Sequence, residues 1–128
     1  VLLSPWVDLA LNGDSLHRKA AEDPVLSPAQ LKEFATLYLG DADPRTPLAS
    51  PLYADLSGLP PLLIQAGTAE ILLDDAARLA ERASDAGVDV TLDIWPEMIH
   101  VWQGFAGFLP EGQTAVTQIG AFVRARVG

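Results

Sequence analysis

The chain contains no cysteine. That excludes a disulfide framework, a thiolate zinc site and a cysteine nucleophile. Basic residues are also scarce, 8 Lys and Arg against 17 Asp and Glu, for a net charge of -9. Nucleic-acid binding needs a basic footprint, and an anionic membrane surface attracts positive charge, so neither is an expected partner. No apolar run approaches the roughly 18 residues of a spanning helix, and no membrane span is expected. Two separated histidines give no metal-ligand spacing, and there is no dinucleotide fingerprint or phosphate loop. No metal and no cofactor are therefore expected. The opening residues Val1-Leu2-Leu3-Ser4-Pro5-Trp6 lack the charged start of a signal peptide, which makes the cytoplasm the expected compartment. There is no initiator Met, and the chain opens in what reads as a buried strand. The 128 residues are therefore expected to be part of one domain rather than a whole one.

What is present suits a packed core, with 49% hydrophobic and 20% charged residues. Val1 to Leu3 is a short apolar run closed by Ser4-Pro5. Asp8 to Pro24 is polar and turn-rich. Ser27-Pro28 reads as an N-cap with proline at the first helical position. Leu31, Phe34, Ala35 and Tyr38 follow at helical spacing, and Gly40 is a C-terminal stop. Residues 41–61 form a proline-rich connection in which Leu48, Leu52, Tyr53, Leu56 and Leu59 are interleaved, so it is expected to pack on the core. Leu62 to Gly67 reads as a parallel central strand, apolar on both faces. Asp74 to Ala86 is an amphipathic helix ended by Gly87. Val88 to Ile94 alternates strictly, the mark of a half-buried strand near a sheet edge. Gln113 to Val127 is a final helix, with Val116, Ile119, Phe122 and Val123 expected inward.

The order strand, helix-bearing excursion, strand, helix, strand, helix predicts an α/β fold with a parallel sheet. In such sheets functional groups gather in loops beyond the carboxyl ends of strands. Gly67-Thr68-Ala69-Glu70 follows the central strand, and Pro96-Glu97-Met98-Ile99-His100-Val101-Trp102 follows the alternating one. Adjacent parallel strands would bring these loops together. A carboxylate bonded to imidazole Nδ1–H fixes the tautomer, so that Nε2 can act as a base. The residues alone leave a second reading open. Glu70 could be a helix-initial carboxylate favoured by the macrodipole, and His100 an ordinary loop histidine. Asp74 and Asp75 compete as acids but sit at the helix start, where they are expected to cap it.

Longer strings carry a resemblance. Ser50-Pro51-Leu52-Tyr53-Ala54-Asp55-Leu56-Ser57-Gly58-Leu59-Pro60-Pro61-Leu62-Leu63-Ile64-Gln65 resembles bacterial esterases of the hormone-sensitive-lipase family, within the α/β-hydrolase fold. Glu70-Ile71-Leu72-Leu73-Asp74-Asp75-Ala76 resembles that family's acid motif, more often built on Asp. Trp95-Pro96-Glu97-Met98-Ile99-His100-Val101-Trp102 resembles its histidine motif, with Val101-Trp102 where Gly-Phe is frequent. Ser4-Pro5-Trp6-Val7-Asp8-Leu9 resembles the segment ending the sixth strand. The resemblance implies that residues 1–128 are the C-terminal portion of one α/β-hydrolase domain, with 10–58 a cap-contributing excursion. It implies Glu70 as catalytic acid and His100 as catalytic base, with Asp74 a minor competitor. Trp102 and Ile99 are implied as substrate-pocket lining, with core packing the alternative for each. Leu11, Leu26 and Tyr38 are candidate substrate-facing positions in the excursion.

The family's serine lies in a G-x-S-x-G elbow, which this chain lacks. Gly13-Asp14-Ser15-Leu16-His17 begins like one, but His17 stands where the last glycine is needed. Ser15 therefore reads as a turn or cap residue and His17 as a surface histidine. The glycine-rich oxyanion motif is absent too. The expected partners are a small acyl-ester substrate and the N-terminal half of the same enzyme, or a second copy of this chain. The family also implies a homodimer through strand 88–94, although Asp89 and Asp93 are equally consistent with charges that discourage pairing there. The rival expectation is an acidic interaction module, or an inactive hydrolase relative, that catalyses nothing.

Overall fold

The computed structural model describes residues 1–127. Its sheet has three parallel strands in the order β1 (Leu2–Leu3), β2 (Leu62–Gly67), β3 (Val90–Trp95). Leu2 pairs with Ile64, and β2 and β3 run in register from Leu62–Val90 to Gly67–Trp95. All three strand ends therefore open on one side of the sheet. Helix α3 (Leu73–Asp85) joins β2 to β3. Its Ala76, Leu79, Ala80 and Ala83 pack on Ile64 and Ala66, making the main core with Val7, Leu52, Leu56 and Val88. The expected strand at Val88 starts two residues later, because Val88 N–H still bonds the carbonyl of Ala83 at the helix end. Gly87, at φ +82°, turns the chain there.

The excursion between β1 and β2 carries a short helix α1 (Ser15–Arg18) and helix α2 (Pro28–Leu39). Ser27 caps α2 in a full capping box, its hydroxyl taking the Gln30 N–H while the Gln30 side chain takes the Ser27 N–H. Leu16 and Leu31 pack on Ile71 and Leu72 in a second apolar cluster, to which Leu11 and Leu26 add. That cluster ties the excursion to the loop after β2. Leu52 and Leu56 are buried as expected, whereas Leu48 and Leu59 are exposed. Trp6, Leu9, Phe34, Leu37, Tyr38 and Ala49 line an open apolar hollow of 510 Å³.

Helix α4 (Pro110–Val127) begins three residues earlier than its sequence pattern suggests. Of its expected inward face, Val116 and Val123 are exposed and Ile119 and Phe122 half-buried, while Gly112 and Ala115 are buried. The helix leans chiefly on the 3-10 turn Trp102–Phe105. There Gly112 lies so close to Ala106 and the Trp102 carbonyl that a side chain would press on backbone.

Candidate active site

Three loops at the strand ends converge. The loop after β3 lies directly on the loop after β2. Thr68 N–H bonds the Trp95 carbonyl at 2.9 Å, Ala69 N–H the Met98 carbonyl at 3.1 Å, and Glu97 N–H the Thr68 hydroxyl at 2.8 Å. Gly67 permits this approach, since a Cβ there would collide with the Met98 carbonyl. Glu97 and Val101 both adopt positive φ, at +62° and +54°. Such backbone is sparsely populated by non-glycine residues and concentrates at functional sites.

The stacking brings Glu70 and His100 together. Glu70 is 0% exposed. Its Oε2 accepts the Ser4 hydroxyl at 2.7 Å and the Gly67 N–H at 3.0 Å. Its Oε1 lies 3.8 Å from His100 Nδ1, and neither atom has a hydrogen-bond partner. That is ion-pair distance, slightly long for a hydrogen bond; catalytic contacts often tighten only when substrate binds. The imidazole keeps 19% of its side-chain surface open. A buried carboxylate on one side and access on the other suit a general base.

Ser4 was not singled out by sequence reasoning, yet it touches both partners' loops. Besides bonding Glu70, its hydroxyl accepts the Val101 N–H at 3.1 Å. The signal that could have found it is its place: a polar residue at the carboxyl end of a strand, where functional groups collect in parallel sheets.

The competing acids are engaged elsewhere. Asp74 accepts the Ser15 N–H at 2.7 Å and pairs with Arg18 at 3.1 Å. Ser15 in turn bonds the Asp74 N–H and the Ile71 carbonyl through its hydroxyl, so it caps a helix start. Asp75 does not cap its own helix as expected. Its Oδ2 accepts the N–H groups of Val7 and Asp8 at 2.9 and 3.0 Å. Burial pushes its carboxyl up to about 6, against those two hydrogen bonds. His17 is exposed.

Ile99 is half-buried beside His100. Trp102 is fully buried, its ring 5.6 Å from that of Trp95. In the excursion, Leu11 and Leu26 pack inward on the second cluster, while Tyr38 lines the apolar hollow. No helix among the described residues is long and apolar enough to cross a membrane.

Comparison with known proteins bears on the fold and the family. A family model described as the alpha/beta hydrolase fold matches residues 1–104. An acetyl-hydrolase of Streptomyces hygroscopicus is 49% identical over 128 residues, all of this chain and 43% of the relative. An esterase of Acinetobacter venetianus is 40% identical over 123 residues, covering 95% of this chain and 41% of that one. Among solved structures, an esterase from the bacterial hormone-sensitive lipase family superposes with a TM-score of 0.96 at 52% identity, covering 98% of this chain and 42% of that one. The chain belongs to the α/β-hydrolase fold family, in its bacterial hormone-sensitive-lipase branch. It spans 41–43% of the length of these relatives.

Proposed function

We propose that this chain supplies the acid and the base of a Ser-Glu-His triad in a hydrolase of short acyl esters. Glu70 holds the imidazole Nδ1–H, and His100 Nε2 takes the proton of a serine hydroxyl as that oxygen attacks the ester carbonyl. The serine and the oxyanion donors come from an N-terminal part outside these 128 residues. The observation that carries the reading is the facing pair of unpartnered atoms, Glu70 Oε1 and His100 Nδ1, in a buried site at the strand ends. The esterase names of close relatives support the reaction class. Ile99 is the substrate-lining position on this reading.

The N-terminal half of the enzyme, or a second copy of the chain, pairs with the edge strand β1, and the opposite edge β3 serves a homodimer. The cytoplasm is the proposed compartment. Hydrolysis of p-nitrophenyl acetate and butyrate tests the reading. The complete polypeptide is expected to be active, and the isolated 128-residue chain inactive. Strong activity of the isolated chain that survives His100→Ala would overturn it.

A further inference from the structure

Ser4 occupies an expensive position for a serine. Its φ is +43°, in the left-handed region that glycine visits freely and other residues rarely do. It is 3% exposed, and its own N–H bonds the Gln65 carbonyl at 2.7 Å, which fixes it to the end of β2. A residue kept there in a strained conformation must be over-determined by its surroundings. The surroundings here are the two loops of the site. The hydroxyl accepts from Val101 N–H, the residue after His100, and donates to Glu70 Oε2. The result is a directed chain, Val101 N–H to Ser4 O–H to Glu70, in which each hydrogen bond polarises the next.

We propose that Ser4 is a positioning residue for the Glu70–His100 couple, a role that rests on the triad reading above. Its hydroxyl occupies Oε2 together with the Gly67 N–H, so the carboxylate presents Oε1 alone to the imidazole. Through Val101 the same hydroxyl sets where the histidine loop sits above that oxygen. One oxygen atom therefore registers acid against base across strand ends that are 66 and 97 residues from it in sequence. Without it Glu70 keeps one donor and can rotate, and the histidine loop loses its tether to β1.

The informative variant is Ser4→Gly in the complete polypeptide, because glycine accepts this backbone without strain while the hydroxyl is lost. Ser4→Ala removes the same hydroxyl and keeps the strain. Two quantities are read. With p-nitrophenyl butyrate, kcat is expected to fall about 10- to 100-fold in both variants, the scale seen when an outer-shell partner that orients a metal-ligating side chain is lost, with KM changed less than about two-fold. By nitrogen-15 NMR at neutral pH, the His100 imidazole is expected to be the Nδ1–H tautomer in the parent and to move toward a mixture of tautomers in Ser4→Gly. An unchanged tautomer overturns the proposal. So does activity lost only in proportion to the unfolded fraction, since that is a structural role. If the parent hydrolyses no ester, the triad reading fails by itself. The tautomer comparison then still decides whether Ser4 positions the pair.

Discussion

Two side-chain carboxylates among the described residues, Asp8 and Glu70, are completely buried, and they are treated in opposite ways. Asp8, just beyond β1, is saturated. Its Oδ1 accepts the Ala10 N–H and the Tyr53 hydroxyl, both at 3.0 Å. Its Oδ2 accepts the Asn12 N–H at 3.2 Å and Arg78 at 2.8 Å. Burial raises its pKa, but the hydrogen bonds from Arg78, Tyr53, Asn12 and Ala10 together outweigh it, and the carboxyl ends below its ordinary value. Glu70 receives two donors, both on one oxygen. The other oxygen waits on an imidazole. A fully satisfied buried charge holds a fold together; one left with an idle lone pair toward a titratable base is placed for chemistry. Both lie at the same end of the sheet, so burial alone does not distinguish them. The pattern of donors does.

The largest effect should come from removing the chemistry while sparing the fold. In the complete polypeptide, His100→Ala is expected to lower kcat/KM for p-nitrophenyl butyrate about 10³- to 10⁴-fold, the contribution of a general base. Glu70→Gln keeps the side-chain shape, and its amide oxygen can still take the Ser4 and Gly67 donors, so the urea midpoint should move little. Its activity should nevertheless fall at least about 100-fold, because a neutral amide does not stabilise the imidazolium. A Glu70→Gln enzyme with full turnover would erase the distinction drawn between the two carboxylates.

Asp8→Ala should show the reverse pattern. It strands Arg78, the Tyr53 hydroxyl and two backbone N–H groups. Removing one partner of a fully buried pair costs about 3–5 kcal/mol; the cost here is smaller, since the Arg78 side chain is 32% exposed, and is read as a lower urea midpoint. Turnover per folded molecule should stay within about two-fold. Selective loss of activity without loss of stability would make Asp8 part of the site instead.

The two regions also differ in how far the sequence revealed them. That the loops of Glu70 and His100 meet was legible, because each follows a strongly patterned strand and parallel neighbours put such loops side by side; their roles as acid and base were implied only by the family resemblance. Gly67 was legible as a strand end, though not as the residue that admits the Met98 carbonyl. Ser4 was hidden, since its partners follow from the β1–β2 register and from a loop 97 residues away. The Asp8–Arg78 pair spans 70 residues and leaves no local pattern. Asp74 and Asp75 misled for a related reason. Carboxylates at a helix start normally favour their own N-terminus, but here the first bonds α1 and the second the turn after β1. The periodicity of α4 predicted a buried stripe, of which Val116 and Val123 are exposed and Ile119 and Phe122 half-buried among the described residues. Asp93 looked like an edge charge, yet its carboxylate takes hydrogen bonds from Gln65 and the Trp95 indole. Leu92 beside it, on the apolar side of the strand's alternation, is 38% exposed.

The smallest effect, and the one that separates burial from saturation most cleanly, belongs to Asp75. It is buried like Asp8 and Glu70, yet burial wins over its two backbone hydrogen bonds and raises its carboxyl to about 6 from 3.8. A raised folded-state pKa means the native state holds the proton more tightly than the unfolded chain. Stability from this group is therefore highest below about pH 4 and declines as pH rises to about 6. Asp8 has the opposite sign: its stabilisation is present above the unfolded pKa and lost on acidification. The two act in different windows, Asp75 between about pH 4 and 6 and Asp8 below its ordinary value of 3.8. Asp75→Asn separates them. Its amide oxygen can still accept from Val7 and Asp8, while the cost of a buried charge disappears. The variant should be about 1–3 kcal/mol more stable than the parent at pH 7–8, from a shift of about two pKa units. That advantage should shrink to nothing near pH 4, in parallel urea titrations of the two proteins. An Asn variant less stable at every pH would mean that Asp75 is held ionised as Asp8 is, with its charge satisfied rather than merely buried.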